Sequence, residues 1–180
     1  MVSFHVKSAV VAVAGMAGIA SANVVSFTQV FRNTTTATKT YEYSMTMPIT
    51  GSFDASLMSG VVTASLVDLN GNGAFVRTVG DSALYTAYVD DAAVQTLWNP
   101  GWSFSVGNYL GGDAAPARFD DMPVIVAAEA DGTMKVTIRF ELSARDMVTI
   151  GANFQLTQVP APGAVALLAI AGFSSRRRRG

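Results

Sequence analysis

Met134-Lys-Val-Thr-Ile-Arg-Phe-Glu-Leu142 decides the fold. Met134, Val136, Ile138, Phe140 and Leu142 are apolar, and Lys135, Thr137, Arg139 and Glu141 between them are polar. Successive side chains of a strand point to opposite faces, so the pattern describes one buried face and one wet face. Tyr41-Glu-Tyr-Ser-Met-Thr-Met-Pro-Ile49 repeats it, with Tyr41, Tyr43, Met45, Met47 and Ile49 expected to face inward. Pro48 has no N–H to give to a ladder and marks a strand end or an edge.

Working outward, seven further segments read as strands: 24–31, 61–69, 74–79, 83–89, 102–106, 124–128 and 147–156. Asp131-Gly132 is a two-residue hairpin signal, because a tight turn needs positive φ that Gly tolerates. It predicts antiparallel pairing of 124–128 with 134–142. A turn around 91–97 is the single helical candidate of the middle segment, and residues 34–40 are a Thr-rich loop or exposed edge. No internal repeat is present. The expected fold is all-β, a single antiparallel β-sandwich of jelly-roll type, with helices only in the terminal segments.

Composition narrows the function. The 137 residues from Asn23 to Val159 hold seven basic side chains against all thirteen acidic ones, a net charge of −6 where the whole chain has −1. Such a surface repels phosphate backbones, so nucleic acid is not an expected partner. There is no cysteine, and the single histidine is His5. Past residue 22 the chain therefore has no imidazole-assisted or thiol nucleophile, and the usual ligands of zinc, iron–sulfur and thiolate copper sites are missing. No disulfide supports the domain, which must rest on its apolar core.

The two ends read as addresses. Residues 1–7 carry one lysine, residues 8–20 are small and almost wholly apolar, and Ala20-Ser21-Ala22 is the small-x-small pattern cut by signal peptidase. Residues 1–22 are thus an expected signal peptide, with the mature chain beginning at Asn23. At the other end Val159, Pro160, Ala161, Pro162 and Gly163 precede an apolar run over 164–173, and Arg176, Arg177, Arg178 and Arg179 nearly close the chain. Ten apolar residues make roughly 15 Å of helix against a hydrocarbon core of about 30 Å. That length suits a transient hold better than a permanent membrane anchor, the plainer alternative. The four arginines halt translocation and fix the C-terminus on the cytoplasmic side.

This order of proline motif, apolar helix and terminal arginine cluster resembles the PEP-CTERM sorting signal of bacterial exported proteins. The family usually carries Glu between its prolines, where this chain has Ala161. The resemblance covers residues 159–180 and implies processing by an exosortase-like membrane protease, transient insertion through the C-terminal helix, and delivery to the cell surface or extracellular matrix. The expected domains are then the signal peptide (1–22), the sandwich (23–158) and the sorting segment (159–180).

Three constellations are candidate sites. Asp68-Leu-Asn-Gly-Asn-Gly73 matches the first half of a calcium loop, with Asp68, Asn70 and Asn72 as oxygen ligands. The bidentate acid of the second half is absent, since that position is Val79, and a Gly/Asn hairpin is the plainer reading. Trp98-Asn-Pro-Gly-Trp102 places two indoles about a turn. Trp98 and Trp102, with Tyr85, Tyr88 or Tyr109 nearby, are candidate platforms for an extracellular polysaccharide, or else core residues. Asp90-Asp91 and Asp120-Asp121, with Asp113 and Glu129, supply carboxylates for glycoside chemistry if the fold brings them to one groove. Asn33-Thr-Thr35 matches a glycosylation sequon. The leading expectation is a non-enzymatic surface or matrix protein. A carbohydrate-binding module and a glycoside-active enzyme are the alternatives.

Overall fold

The computed structural model describes residues 22–50, 56–124 and 132–158. Residues 1–21 of the expected signal peptide, including Ala20, and residues 159–180 of the expected sorting segment, with Val159 to Gly163 and the four arginines, lie outside the described residues.

Among the described residues eleven strands run in chain order: β1 (Ala22–Arg32), β2 (Lys39–Pro48), β3 (Ser56–Val67), β4 (Ala74–Arg77), β5 (Tyr85–Val89), β6 (Ala92–Leu97), β7 (Ser103–Val106), β8 (Gly111–Asp113), β9 (Ala117–Val124), β10 (Thr133–Leu142) and β11 (Met147–Gln158). The first sheet is ordered β1-β11-β3, with β9 and β8 side by side along the far edge of β3. In the second, β10 is flanked on one side by β2 and on the other by β5 and then β4, carrying β6 and β7 respectively. Every pairing is antiparallel.

The pairs β1–β11, β2–β10, β3–β9 and β5–β6 nest like the rungs of one long folded ribbon, with successive rungs in alternate sheets. That winding is a jelly roll, to which β4, β7 and β8 are additions. The chain is an all-β, antiparallel sandwich, as the alternation predicts.

The core lies between the sheets. Met134, Val136, Ile138, Phe140 and Leu142 of β10 are fully buried, and Val148, Ile150, Phe154 and Leu156 of β11 face them from the other layer. Tyr85 is also fully buried, and its hydroxyl donates across the sandwich to the Asn153 carbonyl at 2.9 Å. Burial pushes that phenol above its usual pKa range. In β2, Tyr41, Tyr43, Met45 and Met47 are half-buried on one face, and Pro48 closes the strand on the sheet edge.

Two expectations fail. β10 does not form a hairpin with the preceding strand: along Met134–Ile138 its two edges are taken by β2 and β5. Val124 instead ends β9 opposite Ser56 in the other sheet. Partners distant in sequence take both edges of β10, while residues 125–131, including Asp131 of the turn signal, lie outside the described residues. Residues 92–97 are a strand, not a helical turn; Asp90 and Asp91, both at positive φ (49° and 61°), make the tight hairpin to β5.

Candidate functional site

The β3–β4 loop sits at one end of the sandwich. Its sequence looks like a set of oxygens waiting for a cation, yet its backbone donors turn inward upon Asp68. One carboxylate oxygen accepts from the N–H groups of Asn70 (3.0 Å) and Gly71 (2.9 Å), the other from Gly73 (2.9 Å) and Tyr109 (2.7 Å). Gly71 and Gly73, at φ of 80° and 85°, supply the backbone path that aims these donors. Burial by itself raises the Asp68 pKa, but the four backbone bonds outweigh it and lower the value to about 2.

Asn70 is also engaged, accepting from the Asn72 N–H and donating to the Ala144 carbonyl. Asn72 is exposed. The candidate calcium ligands thus form a self-bonded turn, and a cation would have to displace backbone donors from Asp68. Among the described residues no group of three acidic, His or Cys side chains stands close enough to hold a metal ion.

Beside this loop lies a buried polar latch. Asp146 and Asn33 are fully buried. The Ser143 hydroxyl donates to one Asp146 oxygen, the Leu69 N–H to the other, and the Asn33 backbone N–H to the Asp146 carbonyl. The Asn33 side-chain amide donates to the carbonyls of Ala37, Leu142 and Ser143. This nitrogen has no access for a glycan in the folded chain, so the sequon is structural. Three connecting loops are tied together here, which satisfies polar backbone that the sandwich end would otherwise strand.

Trp98 and Trp102 stack face to face, centroids 4.1 Å apart and planes at 12°. Asn99-Pro100-Gly101 bends the chain between them, with Gly101 at φ 89° and the Trp102 N–H donating to the Asn99 carbonyl. Trp98 is only 8% exposed. This corrects its reading as a solvent platform: one indole face covers the core and the other is covered by Trp102, itself packed against the core. Tyr85 is buried, and Tyr88 lies beneath the Lys135 ammonium. Tyr109 is the exposed aromatic of the set, at 74%.

The aspartate doublets lie on different sheets. Asp90 and Asp91 turn the β5–β6 hairpin of the second sheet, bonded to the Thr133 N–H and the Lys135 ammonium. Asp120 and Asp121 sit on β9 of the first sheet, where the register with β3 shifts and Asp121 has φ 49°. Both doublets serve backbone geometry. Glu129 lies outside the described residues.

A different concavity, unmarked by any motif, opens on the outer face of the first sheet. Thr28, Thr63, Ser65, Thr149 and Asp113, with Ala64, Ala114 and Pro116 between them, line a hollow of about 310 Å³ over Gly151. Sequence reading missed it because its polar residues come from four strands far apart in the chain and show only as the wet half of each strand's pattern.

Fold and geometry define the chain as a jelly-roll β-sandwich. No family model, no curated protein and no solved structure matches it.

Proposed function

We propose that the chain is an exported, non-enzymatic protein of the bacterial cell surface or extracellular matrix. Residues 1–22 direct export, and residues 159–180 hold it briefly in the membrane until an exosortase-like protease releases it. One observation carries the reading. The sandwich closes between Ala22 and Gln158, and Ala22 lies opposite Thr157 on neighbouring strands. Both ends therefore leave the fold side by side, directly at the two processing segments, and removing either segment leaves the sandwich core intact.

The enzymatic alternative has little to work with. Past residue 22 there is no histidine or cysteine, and the carboxylate doublets lie on different sheets. The mass of the protein recovered from its native host tests the proposal. The expected species begins near Asn23 and lacks Arg176 to Arg179. Mature surface protein that retains those arginines would sink it.

A further inference from the structure

The outer face of the first sheet carries two adjacent cross-strand rows, Thr28–Gly151–Thr63 and Val30–Thr149–Ser65–Asp113. Their side chains share one face, because they are two residues apart along each strand. Gly151 is the exception in an otherwise well-filled β11. It is not there for a bulge, since its register with both β1 and β3 is unbroken. Nor is it there for a turn, since its φ is not positive. Glycine within a regular strand weakens it and often marks close approach by a ligand. Here the Thr63 hydroxyl leans over Gly151, donating to its carbonyl at 3.5 Å, and a Cβ would lie 2.7 Å from that hydroxyl, so the glycine lets the threonine settle at the edge of the hollow.

The hydroxyls of Thr28, Thr149 and Ser65 and the carboxylate of Asp113 make no hydrogen bond among the described residues. Four groups free of partners among the described residues thus flank one hollow, whose volume lies at the small end of ligand sites, roughly 300–1,000 Å³. Chemistry selects the occupant. A lone carboxylate disfavours anions and is too few ligands for a calcium ion. A peptide added to a sheet needs a strand edge, whereas this is a face. Ala64, Ala114 and Pro116 complete the lining and suit the C–H face of a ring, but a wholly apolar ligand would strip water from the hydroxyls and Asp113 without replacing its bonds. A neutral polyhydroxy compound fits, because each hydroxyl can both donate and accept, and Asp113 can accept from two neighbouring sugar hydroxyls.

We infer that the hollow over Gly151 binds a neutral saccharide unit of a polysaccharide through Thr28, Thr149, Ser65 and Asp113. The site uses hydroxyls on a sheet face rather than the indoles, and it stands whether or not the proposed export route does. Titration calorimetry of the purified full chain with hexasaccharides of glucose, mannose and galactose tests it, with oligogalacturonate as the anionic probe. At least one neutral probe is expected to bind. The near-isosteric variants Thr28→Val and Thr149→Val should each weaken it about threefold to tenfold, the loss that one net hydrogen bond produces, with the thermal midpoint monitored to show an intact fold. Asp113→Asn should weaken it about tenfold. The inference is overturned if no neutral probe binds, if only oligogalacturonate does, or if the folded variants bind like the parent.

Discussion

Asp68 shows how a residue's neighbours reverse its apparent role. Its loop has the composition of a cation site, but the chain's own N–H groups fill the carboxylate. Because the folded pKa of about 2 lies below the ordinary 3.8, ionised Asp68 adds stability that is fully present above pH 3.8 and is lost as pH falls through 2. Across that window the unfolded chain binds more protons, by up to about one from this site. The urea midpoint of the parent should therefore decline between pH 4 and 2. Asp68→Asn should flatten that decline by up to about one proton's slope and start from a lower midpoint at pH 7. An amide has one acceptor oxygen, so the N–H groups of Gly73 and Tyr109 then face a donor. Equal pH slopes in the two proteins would mean that the carboxylate is not held as described.

Strand β9 was hidden from sequence reading for a reason that lies in its residues. Ala-Arg-Phe-Asp-Asp-Met-Pro-Val carries an aspartate doublet and a proline, all of which usually mark turns. In the fold these features fall where they cost little: the doublet at a bulge and Pro123 on a strand at the sheet's edge. The bulge presses the Phe119 ring over Gly60 of β3. A Cβ at residue 60 would meet that ring at 2.6 Å and the Tyr85 hydroxyl at 2.9 Å. Gly60→Ala should cost about 1–3 kcal/mol, the usual price of overpacking a filled interior, read as a lower urea midpoint. In a Phe119→Leu background the penalty should shrink, because the leucine leaves room. An undiminished penalty would place the strain in the β3 backbone instead. Strand β6 escaped notice differently. Its Ala-Ala-Val-Gln-Thr-Leu has no alternation, and it is a strand because β5 offers it an edge.

For the whole molecule, β1 begins beside the end of β11, and one test of the proposed sorting segment concerns the arginines. Carrying four guanidinium groups into hydrocarbon costs about 2.5 to 3.5 kcal/mol each on insertion scales. Replacing Arg176 to Arg179 by Ser leaves a short apolar run and no charge to stop it. The variant should pass unprocessed into the periplasm or medium with residues 164–173 still attached, which mass spectrometry detects. If it is retained and trimmed like the parent, the arginines are a solvated tail.

What the sequence by itself determined is the part written in local pattern. Alternation in 41–49 and 134–142 made the fold all-β and named the inward faces of β2 and β10, because period-two hydrophobicity allows only one face to be buried. Pro48 marked its strand end, and the lack of cysteine and of histidine past residue 22 narrowed the chemistry. What only the tertiary structure decided is everything that depends on partners far away in the chain. It placed β10 between β2 and β5, closed Trp98 under Trp102, and filled Asp68 with a donor from Tyr109. It also gathered Thr28, Thr63, Asp113 and Thr149 over Gly151. Sheet pairing and convergence of polar groups are long-range events. A single strand's residues state which face is wet, not which strands will share that face.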